Sequence, residues 1–188
     1  MAENPQTTLS ASARLVQLGL TLPEPWGSAP GKAEPRVTSL GDPLSQLALG
    51  PDVKVYAEFV RVSGRRVLVS GHLPINENGE VAGPFGKVGG AVDVEQAEAC
   101  ARRVMLGIFA SLVREIGSLD RISKWLKLYG MVNAAPEFHD FPRVINAASR
   151  LVYEVFGHDI GKHARVAIGV GGLPFNAPVE IEAELELV

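Results

Sequence analysis

The nine residues VEIEAELEL, over residues 179–187, alternate apolar and acidic side chains without interruption. Successive side chains of a β-strand point to opposite faces of a sheet, so this pattern predicts a strand with one buried and one exposed face. The buried face would hold Val179, Ile181, Ala183, Leu185 and Leu187, and the acidic face Glu180, Glu182, Glu184 and Glu186. We expect Glu184 and Glu186 to face solvent. The chain must therefore build a sheet with one covered face, and other segments must supply the cover.

A second strand, HARVAIGV over residues 163–170, precedes it and carries one arginine. One face of this strand is apolar, with Val166, Ile168 and Val170, and the other holds Arg165, Ala167 and Gly169. We expect a hairpin centred in the GGLPFNAP turn to join the two strands. Arg165 then lies opposite or diagonal to Glu180 or Glu182. The pair is either a surface ion pair that contributes little energy or an anion clamp. In an anion clamp, the small side chains of Ala167 and Gly169 would leave a pocket beside Arg165, and the carboxylate would position a water.

The rest of the sequence predicts a cover of helices. A strand pair spans residues 53–71 around a Ser-Gly turn, and a further buried strand covers residues 122–134. Two helices with apolar stripes at helical spacing run over residues 93–117 and 140–157. The order β-β-α-β-α-β-β predicts an α+β fold, a mixed sheet with two helices packed on one face. Because the other face would remain open, we expect a second copy to cover it in an oligomer.

The chain divides into two parts by composition. Residues 1–50 predict a short helix over residues 8–18, followed by an extended arm in which Pro and Gly recur every few residues. Residues 51–188 carry all the predicted strands and the two long helices. We therefore expect one sheet-bearing domain with an N-terminal arm.

The composition excludes several classes of function. The 188-residue chain has a net charge of −3 with scattered lysines and arginines, so it has no basic stripe for nucleic acid. Its one cysteine, Cys100, falls on a helix stripe, and its four histidines lack ligand spacing, so neither a metal nor another cofactor is expected. With no long apolar run and no signal-like N-terminus, we expect a cytoplasmic protein without a membrane partner.

Three polar residues stand out individually. Lys87 in the glycine-rich segment GPFGKVGG is followed by Val88, so this segment is not a phosphate-binding loop of the Walker type. His72 follows Ser-Gly at a strand end, where a functional or a structural role is equally open. Asn146 lies one residue off the apolar stripe of its helix, where it is either a surface amide or a group that faces the sheet edge.

Three segments of the sequence resemble the YjgF/RidA family, also called the endoribonuclease L-PSP family. They are VLVSGHLPINENGEV (67–81), LDRISKWLKLYGMVNAAPEFHDFPRVINAAS (119–149) and HARVAIGVGGLPFNAPVEIEAELELV (163–188). The resemblance is closest to a longer branch that shares GKVGG, VNAAP and GxHAR segments and carries an N-terminal extension. It covers roughly residues 53–188 and implies a chorismate mutase-like fold.

The resemblance also implies an assembly and a site. The family forms homotrimers whose sheets build a central barrel, with ligand clefts between subunits. In its deaminase members an arginine that maps onto Arg165 grips the substrate carboxylate, and a glutamate that maps onto Glu180 positions the hydrolytic water. The family's helix asparagine maps onto Asn146, and its strand-end glycine onto Gly71.

Two departures from the family pattern bear on chemistry. The cysteine that deaminase members carry two residues after the arginine is replaced by Ala167, whose backbone could still contact the ligand. A tyrosine that lines the deaminase cleft has no counterpart in register, since Tyr56 is one residue out. The loop over residues 29–50 is longer than in the family.

The resemblance implies hydrolytic deamination of reactive enamine and imine intermediates of amino acids to 2-oxo acids and ammonia. Arg165 and Glu180 would be the catalytic residues, and Asn146, Gly71 and Ala167 would bind the substrate. The alternative is a non-catalytic trimer that binds a small carboxylate or acts as an interaction protein. The ribonuclease activity in the family's older name is a distant third, because the chain is acidic and lacks an aromatic and basic stacking platform.

Overall fold

A computed structural model describes residues 9–26 and 57–188. Several expectations from the sequence fall on other residues. These are the start of the first strand at Val53, the position of Tyr56, the loop over residues 29–50 and the boundary between residues 50 and 51, all of which lie outside the described residues.

Five strands form one mixed sheet in the order β1-β2-β5-β3-β4. They are β1 (Val60–Ser63), β2 (Arg66–His72), β3 (Ile122–Asn133), β4 (Ala164–Val170) and β5 (Val179–Leu187). Neighbours pair antiparallel except β3 and β4, which run parallel. The predicted first hairpin is confirmed, with Ser63 opposite Arg66 and Gly64 in the turn at a positive φ of 60°.

The helices are α1 (Ala11–Gln17), α2 (Val94–Ile116) and α3 (Phe141–Gly161). The predicted start of α2 is confirmed, because the Asp93 carboxylate accepts from the backbone N–H of Gln96 in a capping box. α3 begins after Asp140, as predicted. Its predicted end at Gly157 is only partly right, since Gly157 breaks the helix at a φ of 73° and one further turn continues to Gly161.

The core lies between the sheet and helices α2 and α3. The predicted apolar stripes of both helices and the apolar face of β5 are buried. At its centre Phe109, Trp125 and Phe156 meet edge to face, with ring centroids 5.3–5.9 Å apart. Both long helices thus cover one face of the sheet, which confirms the predicted fold class. None of the helices in the described ranges is long and apolar enough to cross a membrane.

The expected C-terminal hairpin is wrong. β3 lies between β4 and β5, so these two strands are not neighbours. The connecting loop passes the end of β3, where the buried Asn133 amide donates to Asn176 Oδ1 and to the Ala177 carbonyl at 3.0 and 3.1 Å. Lys87 fastens the same end by donating to Asn133 Oδ1 and to the Gly171 carbonyl. β5 is thereby carried across β3, and Arg165 is opposite neither Glu180 nor Glu182.

Gly130 on β3 lets α3 pack close to the sheet, and its substitution tests this contact. A Cβ at Gly130 would lie 2.6 Å from side-chain carbons of Ile145. We expect Gly130→Ala to lower the free energy of unfolding by about 1–3 kcal/mol because of this overlap, as measured by urea denaturation. The loss should be smaller in an Ile145→Ala background, where the added methyl group has room.

Gly171→Ala is the matched control, because nothing lies within 4 Å of a Cβ built there. Equal losses for Gly130→Ala in the two backgrounds would show that the overlap with Ile145 is not the cause.

Candidate functional site

Arg165 lies on the edge strand β4 and points toward α3. It pairs with Leu128, whose side chain is in the core, so both residues share the helix-covered face. Its Nη1 donates to Asn146 Oδ1 at 2.7 Å and to Ser149 Oγ at 3.2 Å. Asn146 is exposed on the helix and its side-chain oxygen also faces the sheet edge, so both interpretations of this residue describe it in part.

The guanidinium of Arg165 is held by neutral groups. Within residues 9–26 and 57–188, no carboxylate oxygen lies within 4.0 Å of it. An arginine paired with Asp or Glu has its charge largely compensated, whereas one held by an amide and a hydroxyl keeps it. The ion-pair interpretation of Arg165 therefore fails among the described residues, and the arrangement is suited to an anionic ligand.

Sequence reasoning missed two residues of this cluster, Ser149 and His163. His163 Nε2 lies 3.0 Å from Ser149 Oγ, and Nδ1 lies 2.6 Å from the Gly161 carbonyl. Burial lowers the pKa of His163, with a smaller lowering from the charge of Arg165, against the opposing effect of the bond to Gly161. Spacing could have indicated both residues, because Ser149 is one helical turn from Asn146 and His163 two strand residues from Arg165.

Glu180 lies on the opposite face of the sheet, which none of the described helices covers and which we call the open face. It pairs with Met131 on β3. A β-bulge in β2 brings Gly71 beneath it, and a Cβ at Gly71 would collide with the Glu180 carboxylate. Burial raises the pKa of Glu180, and the nearby charge of Glu182 raises it further. Gly71 thus makes room for a half-buried carboxylate that holds its proton more tightly than usual.

The sequence-predicted site residues therefore divide between two faces. Arg165, Asn146 and Ala167 lie on the helix side, and Glu180 and Gly71 on the open side. In one chain the sheet itself stands between the two groups.

The expected pocket beside Arg165 is also corrected. Ala167 packs against the core. The space above Gly169 is filled by the ring of Phe141, with which a Cβ at Gly169 would collide. The small residues of β4 therefore allow helix α3 to pack close to the sheet, and the Phe141 ring occupies the space above Gly169.

The open face has a shallow cavity of about 310 Å³ beside Gly71. Its polar lining includes Ser70, Lys127, Tyr129 and Glu182. The Lys127 ammonium lies 5.8 Å from the centroid of the Tyr129 ring, within cation–π range. A ligand that reaches Glu180 from this side would thus meet a face of mixed charge.

His72 has a structural role. It is fully buried, with Nε2 2.9 Å from Ser111 Oγ and Nδ1 2.7 Å from the Ser70 carbonyl. The rings of Trp26 and Phe59 contact it edge-on. Burial lowers its pKa to about 4, against the raising effect of the bond to Ser70. His72 is therefore a neutral core residue, which joins the bulge of β2 to α2.

Solved structures share this arrangement of a mixed sheet with helices on one face. The protein Atu1372 of Agrobacterium tumefaciens has 34% sequence identity and a TM-score of 0.72, with 94% of this chain and 91% of that chain covered. A structure from Shewanella oneidensis MR-1, named as a proposed endoribonuclease, has 26% identity and a TM-score of 0.73. It covers 95% of this chain and 100% of its own.

The sequence comparisons identify the family. Residues 34–185 match the family described as "YjgF/chorismate mutase-like, putative endoribonuclease". Protein TCP17 of Trypanosoma cruzi is 39% identical over 132 residues, which are 70% of this chain and 81% of that protein. The chain therefore belongs to the YjgF/chorismate mutase-like family, which confirms the resemblance of its three segments.

The neutral state of His72 should appear in the pH dependence of stability. In the unfolded chain a histidine titrates near pH 6.5, and in the folded protein His72 titrates near pH 4. Between these values the unfolded state binds more protons, so stability is lost as the pH falls from about 6.5 to about 4. The loss due to His72 should be on the order of 3 kcal/mol.

Urea denaturation at several pH values measures this loss. His72→Phe should flatten the pH dependence over that window even if it lowers stability overall. The exposed His139 supplies the control variant, His139→Gln, which should keep the wild-type slope. A wild-type slope in His72→Phe would contradict the assignment.

Proposed function

We propose that the protein hydrolyses reactive enamine and imine intermediates of amino acids, releasing 2-oxo acids and ammonia. The observation that carries the proposal is the guanidinium of Arg165, which is held by Asn146 and Ser149 without a carboxylate partner in the described ranges. Such a group fits the carboxylate that every such intermediate carries. Family membership supports the proposal only in general terms.

Arg165 would bind the substrate carboxylate in a bidentate manner. Its Nε and Nη2 groups are free of hydrogen-bond acceptors among the described residues, and they form one planar edge of the guanidinium. Two parallel N–H donors fix the plane of a carboxylate and hence of the conjugated imine. Binding in one orientation supplies the positioning that an already electrophilic imine carbon needs.

Glu180 would orient and deprotonate the attacking water. An enamine first tautomerises to the imine, taking a proton on carbon and losing one from nitrogen. Water then adds to the carbon of the protonated imine while one of its protons passes to Glu180, which returns that proton to the nitrogen of the carbinolamine. Ammonia leaves as the hydroxyl group loses its proton, and the carbonyl of the 2-oxo acid forms. A carboxylate with a raised pKa is a stronger base than an exposed one, which suits this task. The scheme requires no metal, nucleotide or thiol.

The two residues would meet only between subunits. Since Arg165 and Glu180 lie on opposite faces of one sheet, a small substrate cannot touch both within one chain. A homotrimer that packs the open face of each sheet toward its neighbours would bring the Glu180 of one chain to the edge strand of another. Gly71 and the backbone of Ala167 would line the same cleft.

A non-catalytic carboxylate-binding trimer is the second candidate. It is favoured by Ala167, because deaminase relatives carry a cysteine at that position. It keeps the role of Arg165 and makes Glu180 structural. Crystals soaked with pyruvate and an imine hydrolysis assay on the same preparation separate the two, since an occupied site without turnover indicates binding alone.

Removal of the Arg165 guanidinium should abolish turnover while the protein remains folded. We expect Arg165→Ala to lower kcat/KM for 2-iminopropionate by about 100-fold or more, because a charge-assisted bidentate contact is lost. Ammonia release is followed while a serine dehydratase generates the imine. The exposed Arg150 on α3 supplies the control Arg150→Ala. Full activity of Arg165→Ala would show that Arg165 does not bind the substrate carboxylate.

Hybrid oligomers test whether the site is shared. Arg165→Ala and Glu180→Gln chains should each be inactive because each lacks one essential group. When they are refolded together in equal amounts, about a quarter of the clefts should regain both wild-type groups if the groups come from different chains. If both groups come from the same chain, every cleft keeps a defect and the mixture stays inactive.

The pH profile should report Glu180 as the base. Activity is lost as the pH falls through the pKa of the ionised base, and that pKa is raised in Glu180 by burial and by Glu182. Glu182→Gln removes the like charge and should move the acid limb of kcat/KM to lower pH. Glu186→Gln, farther along the same strand face, should leave the limb in place. An unchanged limb in Glu182→Gln would exclude Glu180 as the titrating base.

A further inference from the structure

A chain of hydrogen bonds runs from the backbone at Gly161 to the guanidinium of Arg165. His163 Nδ1 contacts the Gly161 carbonyl, and His163 Nε2 contacts Ser149 Oγ. Ser149 Oγ in turn contacts Nη1 of Arg165. We call these four groups the His163–Ser149 chain. Neither Ser149 nor His163 has a role in the chemistry proposed above.

The two ends of the His163–Ser149 chain determine the direction of two of its hydrogen bonds. The Gly161 carbonyl can only accept, so His163 carries a proton on Nδ1. Arg165 can only donate, so Ser149 Oγ accepts from it. Because the serine oxygen has two lone pairs, Ser149 can either donate to an unprotonated Nε2 or accept from a protonated one. A neutral ring is then the Nδ1–H form, in which the Ser149 hydroxyl donates to Nε2.

The surroundings of His163 favour the same neutral state. The positive charge of Arg165, two residues along the chain, disfavours a second cation on the ring. From α3 the ring of Tyr153 packs against it with centroids 5.6 Å apart, and the exposed His158 stacks on the Tyr153 ring at 5.7 Å. Burial lowers the pKa of His163. No carboxylate oxygen lies within 4.0 Å of the ring among residues 9–26 and 57–188. The bond to the Gly161 carbonyl raises the pKa, but burial and the charge of Arg165 together lower it more.

The His163–Ser149 chain has a consequence for the guanidinium. Nη1 carries two hydrogens, and its two acceptors are Asn146 Oδ1 and Ser149 Oγ. Nη1 is therefore saturated. The Nε and Nη2 hydrogens remain, and they lie along one edge of the guanidinium. A ligand carboxylate is thereby directed to that edge and excluded from the alternative edge formed by Nη1 and Nη2.

We propose that Ser149 and His163 are positioning residues, which hold Arg165 so that only its Nε–Nη2 edge receives the substrate carboxylate. The proposal rests on the proposed function for its kinetic consequence, whereas its structural consequence is independent of any substrate. Without Ser149, one Nη1 hydrogen is free, and the guanidinium can rotate and bind the carboxylate in a second orientation.

Nitrogen NMR of uniformly labelled protein provides the test that needs no substrate. At pH 7 the ring nitrogens of His163, assigned by their loss in His163→Phe, should show the neutral Nδ1–H form. The guanidinium of Arg165 should rotate slowly about the Nε–Cζ bond, and faster in Ser149→Ala. A neutral Nε2–H form, a charged His163, or equal rotation rates in the two proteins would overturn the proposal.

Kinetics of imine hydrolysis provide the second test. Ser149→Ala and His163→Phe should raise KM for 2-iminopropionate about fivefold or more, with kcat changed less, because the loss of one neutral hydrogen bond weakens carboxylate binding. Ser149→Thr keeps the hydroxyl and should behave like wild type. The exposed His158 supplies the control His158→Gln. Thermal unfolding of each variant shows that it is folded.

The two tests fail in different ways. If wild-type protein neither hydrolyses the imine nor binds pyruvate, the proposed function fails, and the positioning role stands or falls on the NMR result. If wild type is active and Ser149→Ala has an unchanged KM, the positioning role fails while the proposed function stands.

Discussion

Strand β3 is the element on which the rest of the structure depends, because it pairs with strands of opposite direction along its two edges. It runs parallel to β4 and antiparallel to β5. The buried Asn133 and the ammonium of Lys87 hold the loop that carries the chain from one edge of β3 to the other. This crossing decides which strand lies at the edge of the sheet, and it makes the arginine strand that edge. The contacts of Arg165 with Asn146 and Ser149 on α3 follow from its position there.

The sequence was sufficient to predict the elements and their faces. Local periodicity specifies the alternation in β5 and the apolar stripes of the helices, and local hydrogen bonding specifies the cap at Asp93. These features are as predicted. The pairing of β4 with β5 was predicted wrongly, because a period of two specifies which face a side chain occupies but not which strand lies next to it. Arg165 and Glu180 each lie in a strand that the sequence predicted. The two side chains nevertheless lie on opposite faces of the sheet.

The candidate site was predictable only where local periodicity decides the direction of a side chain. Asn146 could be found because a helix position next to the apolar stripe points toward the edge of the sheet. The sequence could not predict that Phe141 fills the space above Gly169, since this depends on how closely α3 approaches the sheet. Ser149 and His163 lay at predictable spacings from Asn146 and Arg165. Only the contacts between them, however, distinguish a hydrogen-bonded chain from two ordinary polar side chains.

The electrostatics of the two faces are opposite in kind. On the helix face a cation is held by neutral groups and keeps its charge; on the open face a carboxylate beside Glu182 holds its proton above the usual pH. Because the raised pKa of Glu180 favours the protonated form in the folded protein, ionisation of this residue lowers stability as the pH rises through that pKa. Gly71 increases this loss of stability, because the absence of a Cβ leaves space for the Glu180 carboxylate in a half-buried position. A single chain gains nothing evident from either group. In the proposed trimer, an anionic ligand between two copies would compensate the charge of Arg165, and a water on Glu180 would supply the hydration that burial removed.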